Sequence, residues 1–141
     1  MSLALPLAGC RVPVIEDEYF IADDLNRALT DQGAQVIGPI GEMQAALQQV
    51  RQDGFEVAVL DLNLRDEMAF SVADELRRLG VAFVFATGYE QADIPARFAN
   101  VNRWEKPFDQ DQLVADVALG VGHDPLALVL LNREGLALHG L

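Results

Sequence analysis

The sequence predicts an α/β protein in which five parallel strands form one doubly wound sheet with helices on both faces. Short aliphatic runs alternate five times with segments whose apolar residues recur at helical spacing. The connections between these segments are short, and no internal repeat or low-complexity linker interrupts the series. Several of the runs end abruptly in polar or acidic side chains. Because parallel strands carry their carboxyl ends on one edge of the sheet, these side chains are expected to lie close together.

The predicted strands are aliphatic runs that are each followed by a turn or a polar group. They span residues 11–15, 34–37, 56–60, 81–86 and 101–104. The third run is the most informative, since a buried strand has no structural need for the aspartate, Asp61, that ends it. Pro13 is unusual in the first strand because proline cannot donate to a ladder, so a local bulge is expected there.

Five helices are predicted between and after the strands, from apolar residues repeating every three or four positions. They span residues 19–31, 41–53, 69–79, 88–100 and 109–119. Gly33 follows the first helix, as expected of a glycine that ends a helix. The fourth helix is the weakest prediction, because Pro95 fits only near a first helical turn.

Length and charge exclude several classes of function. A chain of 141 residues is expected to form one domain with its own core. The 22 acidic residues outnumber the 10 basic ones and give a net charge of −12, which argues against direct binding to nucleic acid or to an anionic membrane. The single cysteine excludes an internal disulfide and predicts a cytoplasmic location. No apolar run approaches the roughly 20 residues of a membrane span.

Acidic, hydroxyl and basic side chains follow four of the predicted strands. They are Glu16, Asp17, Asp61, Thr87 and Lys106. Clustered carboxylates repel one another unless a cation lies between them, and Mg²⁺ is the hard cation that suits oxygen ligands of this kind. A carboxylate screened in this way can attack phosphorus and form an aspartyl phosphate. An ammonium and a hydroxyl would then stabilise the charge on the transferring phosphoryl group.

Each of these residues also has a purely structural interpretation. The acidic pair would favour the N-terminus of the helix that follows it, Thr87 would cap a helix, and Lys106 would belong to an exposed turn. Taken singly, these interpretations are reasonable. All of them would have to hold independently at successive strand ends, so the functional interpretation explains the combination better.

The chain resembles the receiver domain of bacterial response regulators, which has the CheY-like, flavodoxin-like fold. The matching pieces are Val-Ile-Glu16-Asp17-Glu, Val-Leu-Asp61-Leu-Asn63-Leu, Phe-Ala-Thr87-Gly-Tyr and Glu-Lys106-Pro-Phe. The third phrase is especially similar to receivers of alphaproteobacterial hybrid kinases and stand-alone regulators. The resemblance implies the strand order 2-1-3-4-5. It covers residues 11–120, leaving an N-terminal extension at 1–10 and an apolar C-terminal tail at 121–141.

The resemblance also implies roles for the residues at the sheet edge. Asp61 would be the phospho-acceptor, Thr87 would bind a phosphoryl oxygen, and Lys106 would pair with the phosphoryl group. Mg²⁺ would be bound by the acceptor, by Asp17 and by the backbone carbonyl of Asn63, with Glu16 acting mostly through water. The phosphoryl donor would be a histidine kinase or a histidine phosphotransfer protein, and the signal would pass to an unknown downstream protein by contact.

Pro13 in the first strand is one departure from the family pattern, and three others stand out. Arg65 replaces the proline usual four residues beyond the acceptor, and Arg103 replaces the aromatic residue usual three before the lysine, although Trp104 is adjacent. The tail at 121–141 is too short for an output domain and unusually apolar. A hairpin or a broken helix is expected there, packed either on the domain itself or, as the preferred interpretation, on a second copy to form a homodimer.

Two alternative functions remain open from the sequence. A haloacid-dehalogenase-like phosphatase also uses a strand-end aspartate, but its chemistry requires a second acid two residues further on, where this chain has Asn63. A pseudo-receiver that only binds partners is the other alternative, and the arginines at positions 65 and 103 are its main support.

Overall fold

The computed structural model describes residues 5–52, 54–65, 67–88 and 94–120. The strands in these ranges are β1 (Arg11–Ile15), β2 (Gln35–Ile40), β3 (Val57–Asp61), β4 (Asn63–Leu64), β5 (Glu67–Met68), β6 (Ala82–Gly88) and β7 (Arg103–Lys106). One parallel sheet has the order β2-β1-β3-β6-β7, which confirms the predicted order 2-1-3-4-5 once the short β4–β5 pair is set aside. β4 and β5 pair antiparallel with each other directly after the central strand.

Helices cover both faces of the sheet, as predicted for a doubly wound fold. They are α1 (Tyr19–Asp31), α2 (Met43–Val50), α3 (Phe70–Arg78) and α4 (Gln110–Gly120). α1 and α4 pack on one face of the sheet, and α2 and α3 pack on the other. Among the residues that the structure describes, no helix combines the length and the apolar character needed to cross a membrane.

The central strand β3 takes part in both halves of the core. All five of its residues are buried, and successive side chains of a strand point to opposite faces of the sheet. Val57 and Val59 pack in the cluster with α1 and α4, whereas Ala58 and Leu60 pack in the cluster with α2 and α3. The fifth residue, Asp61, is also buried, and a buried carboxylate needs partners that compensate for the loss of water.

The irregularity predicted at Pro13 is present in the pairing of β1 with β2. Pro13 pairs with Ile37, but Ile15 pairs with Ile40, so the additional residue lies on β2 rather than on β1. Gly38 accommodates it with a φ of 109°, where a Cβ atom would meet the Val14 carbonyl oxygen at 2.9 Å. The shift extends β2 beyond its predicted end at residue 37 and brings the following turn up to the end of β1.

The predicted helix at 88–100 is wrong where the structure describes it. Gly88 is the last residue of β6, and between residues 94 and 100 the helical part is a single 3₁₀ turn, Ala96–Phe98. Residues 89–93 of that prediction lie outside the described residues. Pro95 directly precedes the turn. Because proline has no backbone N–H, it cannot donate the hydrogen bond that would join a preceding helical turn to this one.

Aromatic packing holds this segment against the sheet instead. Phe98 is 1 % exposed, and its ring centroid lies 5.8 Å from those of Phe70 and Phe85. Arg77 covers the same ring at 5.0 Å and donates from Nη1 to the Arg97 carbonyl oxygen at 2.6 Å. Tertiary contacts to α3 therefore replace the hydrogen bonds of the expected helix.

The two ends of the chain fall partly outside the described residues. Residues 5–10 pack against the domain: Leu7 is fully buried and donates its N–H to the Gln32 carbonyl oxygen at 2.8 Å, and Gln35 donates to the Cys10 carbonyl at 2.8 Å. Residues 1–4 and the predicted hairpin or helix at 121–141 lie outside the described ranges.

Candidate functional site

Asp61 ends the central strand and is held through both of its carboxylate oxygens. Its side chain is only 4 % exposed. The Asn63 N–H donates to Asp61 Oδ1 at 3.1 Å, and Lys106 Nζ donates to Oδ2 at 3.1 Å. These charge-assisted bonds compensate for burial of the carboxylate and prevent it from rotating.

Lys106 contacts several carboxylates through its one ammonium group. The acids Glu16, Asp17 and Asp61 are together called the acidic cluster. It ends β7, where it pairs with Gly88 of β6. Its Nζ lies 2.7 Å from Glu16 Oε1 and 3.4 Å from Glu18 Oε1, in addition to the bond with Asp61. Burial by itself would lower the pKa of Lys106, but the contacts with the carboxylates outweigh it, and the net effect is a raised pKa. The ammonium is therefore charged at neutral pH.

Glu16 is the most buried acid of the cluster. Its side chain is 1 % exposed, and the Asp17 N–H donates to its Oε2 at 3.1 Å. Burial, followed by the hydrogen bond and the charge of Asp61, raises the pKa of Glu16 to about 9, and Lys106 opposes this only in part. Burial and the neighbouring Asp61 carboxylate thus both disfavour the charged form of Glu16.

Asp17 is exposed, in contrast to the buried acids Glu16 and Asp61. Its Oδ2 accepts a hydrogen bond at 3.0 Å from the backbone N–H of Arg65. On its other side, the turn between β2 and α2 packs so closely that a Cβ atom on Gly41 would meet the Asp17 Cα at 3.2 Å. A carboxylate oxygen of Asp17 can lie within 4.8 Å of one from each of Glu16 and Asp61.

A cleft of about 350 Å³ opens above these carboxylates. Its walls are formed by Asp17, Glu18, Asp61, Asn63, Arg65, Gly88 and Lys106. The donor set fits a hard divalent cation, since Mg²⁺ prefers carboxylate and carbonyl oxygens and keeps several waters for which the cleft has room. A cation there would also favour the charged form of Glu16, because it would offset the repulsion from Asp61.

Thr87 lies at the side of this cleft and is not part of its wall. It is 1 % exposed, and its Oγ1 donates to the Gly88 carbonyl oxygen at 3.0 Å. Ala86, one residue earlier on β6, pairs with Asp61 across the sheet. The predicted acids and Lys106 are therefore brought together, whereas the hydroxyl of Thr87 is engaged elsewhere in this conformation.

Three residues of the cleft wall, Glu18, Arg65 and Gly88, were not predicted as site residues. Glu18 continues the acidic run after β1, and only its ion pair with Lys106 distinguishes it from an ordinary surface acid. Arg65 departs from the family pattern, but nothing in the sequence indicates that its backbone contacts Asp17, 48 residues away.

Comparison with known proteins agrees with this arrangement. The profile of the response regulator receiver domain matches residues 12–118, a range that includes every residue of the cleft. The chain belongs to this family. Receiver domains are signalling domains of two-component systems, and they bind Mg²⁺ through acidic residues such as those clustered here.

Individual relatives agree with the family assignment. SdrG from Sphingomonas melonis Fr1 is 31 % identical with a TM-score of 0.70, over 92 % of this chain and 99 % of SdrG. The BeF₃-activated conformation of SdrG from Pseudomonas melonis Fr1 is 32 % identical with a TM-score of 0.64, over 81 % of this chain and 98 % of that one. The sensory transduction protein LytT of Bacillus cereus is 30 % identical over 108 residues. These are 74 % of this chain and 44 % of LytT, so the chain matches less than half the length of that relative.

Proposed function

We propose that this receiver accepts a phosphoryl group on Asp61 in the presence of Mg²⁺ and passes the signal to another protein by contact. The observation that carries the proposal is the setting of the Asp61 carboxylate. It is held at a strand end by Asn63 and Lys106, and it lines a cleft that opens to solvent. A fixed carboxylate beside a charged ammonium is an arrangement suited to attack on phosphorus.

The donor in this proposal is a phosphohistidine on a histidine kinase or a histidine phosphotransfer protein. A carboxylate oxygen of Asp61 forms a bond to phosphorus while the phosphorus–nitrogen bond of the donor breaks. The electron pair of that bond stays with the imidazole nitrogen. A donor ring that is protonated on its other nitrogen leaves directly as neutral histidine, and an unprotonated ring takes up one proton from water to become neutral. No oxidant or other reactant is needed, and the products are an aspartyl phosphate and a free histidine.

Residues of the cleft stabilise the charge that this transfer carries. The Lys106 ammonium, already 3.1 Å from Asp61, neutralises one phosphoryl oxygen. The Thr87 hydroxyl donates to a second oxygen once it gives up its bond to the Gly88 carbonyl. Bound Mg²⁺ would supply further positive charge at the phosphoryl oxygens. Asp17, Asp61 and the backbone carbonyl of Asn63 would hold it, with Glu16 acting through water.

The change at Thr87 is our proposed origin of the signal. Thr87 lies on β6 beside β7, where Trp104 pairs with Ala86. Trp104 Nε1 donates to Asp116 Oδ2 at 2.6 Å and so links β7 to α4. Movement of Thr87 toward a phosphoryl group would shift the population between two arrangements of this surface, with the phosphoryl group as the biasing ligand.

The partners in this proposal are proteins, and the setting is the cytoplasm. The net charge of −12 opposes direct contact with nucleic acid. Tyr19 and Phe20 are 72 % and 80 % exposed, with ring centroids 5.5 Å apart, and they directly follow Glu18 of the cleft wall. An exposed aromatic pair that directly follows the cleft wall is suited to docking the phosphohistidine donor protein. The single cysteine of the described chain, Cys10, is a free thiol, which suits a reducing compartment.

Phosphotransfer followed by intact mass detection tests this function. Wild-type protein incubated with acetyl phosphate and Mg²⁺ should gain the mass of one phosphoryl group, and Asp61→Asn should gain none. A chelator should abolish the gain in wild type, because the site then lacks the cation. Equal labelling of wild type and Asp61→Asn would contradict the assignment, and an unmodified wild type would favour a pseudo-receiver.

A further inference from the structure

Arg65 brings to the cleft a backbone N–H that the proline usual at this position lacks. This N–H donates to Asp17 Oδ2 at 3.0 Å. Arg65 has a φ of 49°, and of the non-glycine residues that the structure describes it alone has a positive φ. Side chains of L-residues disfavour this conformation, so the surrounding contacts must select it.

The loop after β3 supplies those contacts. Its two sides pair as β4 and β5, with Asn63 opposite Met68 and Leu64 opposite Glu67. Leu64 is 1 % exposed and anchors the loop in the core cluster under α2 and α3. Arg65 directly follows this anchored strand, so the position of its N–H is determined by packing that is independent of Asp17.

We propose that Arg65 is a positioning residue for the divalent cation, acting through its backbone N–H on the carboxylate of Asp17. The inference rests on the proposed function, since Asp17 binds a cation only within it. The N–H binds Oδ2 and so restricts rotation of the Asp17 carboxylate, while the close packing of Gly41 restricts the backbone of Asp17. Hydrogen bonds that orient ligands in this way typically change metal affinity by about 10- to 100-fold.

Any test must distinguish the effect of the Arg65 guanidinium group on cation binding from the effect of the Arg65 backbone N–H. The side chain contributes to the wall of the same cleft, where its positive charge opposes a cation. Arg65→Gly removes the guanidinium but keeps the N–H, and glycine adopts a positive φ readily. Arg65→Pro removes the guanidinium, the N–H and the positive φ together. The two variants are therefore a matched pair that differs at the backbone.

Calorimetric titration of the full chain with Mg²⁺ provides the test. We expect Arg65→Gly to bind Mg²⁺ at least as tightly as wild type and Arg65→Pro to bind at least about tenfold more weakly than Arg65→Gly. Equal affinities of the two variants would overturn the inference. A loss in Arg65→Gly as large as that in Arg65→Pro would also overturn it, because the side chain would then be responsible.

Asp17→Asn distinguishes failure of this inference from failure of the proposed function. If Asp17→Asn binds Mg²⁺ as tightly as wild type, the proposed cation site itself fails. If Asp17→Asn binds weakly while Arg65→Pro binds normally, only the role of Arg65 fails.

A second measurement does not depend on the folding of Arg65→Pro. In the metal-free protein, the Arg65 amide proton should move upfield in Asp17→Ala, because its charged acceptor is lost. An unchanged Arg65 resonance in Asp17→Ala would overturn the inference.

Discussion

Lys106 Nζ lies 3.1 Å from Asp61 Oδ2, although the two residues are 45 positions apart in the sequence. The same nitrogen lies 2.7 Å from Glu16 Oε1, so a single ammonium bridges carboxylates that follow β1 and end β3. All three side chains are nearly buried, with exposures between 1 % and 11 %. The cleft is therefore held together by electrostatic contacts as well as by the sheet beneath it.

Replacement of the central ammonium should destabilise the protein unless a cation takes its place. Lys106→Met leaves buried carboxylates without their partner, and we expect its free energy of unfolding to fall by about 1–3 kcal/mol without metal. Saturating Mg²⁺ should restore part of the loss, because the ion neutralises the same carboxylates. Urea unfolding of wild type and variant, with and without Mg²⁺, measures both effects.

Arg27 provides a matched control for Lys106→Met. It also pairs with an acid, Asp23 at 3.0 Å, but its side chain is 75 % exposed. Arg27→Met should change the free energy of unfolding by no more than about 0.5 kcal/mol, with or without Mg²⁺. Equal losses of unfolding free energy in the two variants would show that the buried contacts of Lys106 stabilise the protein no more than an exposed ion pair does.

The exposed aromatic pair on α1, Tyr19 and Phe20, should affect the rate of phosphotransfer from a donor protein but not from a small-molecule donor such as acetyl phosphate. We expect Phe20→Ala to slow phosphotransfer from a histidine phosphotransfer protein about tenfold, because a central aromatic contact is lost. Its rate with acetyl phosphate should stay at the wild-type value. Leu79→Ala, at an apolar residue 37 % exposed just after α3, is the control and should leave both rates unchanged. Equal slowing with both donors would mean that Phe20 supports the site and does not dock the donor.

Asp116 should make stability depend on pH in a defined direction. Burial raises its pKa, and the hydrogen bond from Trp104 Nε1 offsets this only in part. A carboxyl with a raised folded pKa contributes stability while protonated, and that contribution is lost as the pH rises from the unfolded pKa through the folded one. Asp116→Asn keeps an acceptor oxygen but does not ionise.

The free energy of unfolding of Asp116→Asn relative to wild type should therefore increase between about pH 4, near the unfolded pKa of aspartate, and pH 7. Urea unfolding of both proteins across this range gives the difference directly, because their other carboxylates are shared. A difference that stays constant with pH, or shrinks as the pH rises, would contradict the prediction.

Trp104 should report the proposed movement of Thr87. It is the single tryptophan of the chain and pairs with Ala86, next to Thr87. Beryllofluoride with Mg²⁺ should change its fluorescence in wild type and leave it unchanged in Asp61→Asn. Thr87→Ala should lose more than half of the response, because the hydroxyl that follows the phosphoryl group is missing. A full fluorescence response in Thr87→Ala would show that the change at Trp104 does not depend on the Thr87 hydroxyl, which would contradict the prediction.

Most of the fold could be predicted because its signals are local. Apolar periodicity predicts α1 at the residues where it is observed. The predicted bounds of α2, α3 and α4 differ from the observed bounds by a few residues at each end. The segment around Pro95 is the exception, since contacts of Phe98 with Phe70 and Phe85 determine its conformation. Such contacts join residues far apart in sequence, and local periodicity carries no information about them.

The sequence by itself determined the succession of the five sheet strands along the chain, four of the helices, the acid at the end of the central strand and the edge at which the polar residues gather. These follow from residue types and their spacing, which set the burial of each strand and the direction of each connection. The tertiary structure alone decided which atoms meet there. Lys106 contacts Glu18 as well as Glu16 and Asp61, and the Arg65 N–H binds Asp17. The physical reason is that every residue except proline carries the same N–H, so only the path of the chain decides where that donor acts.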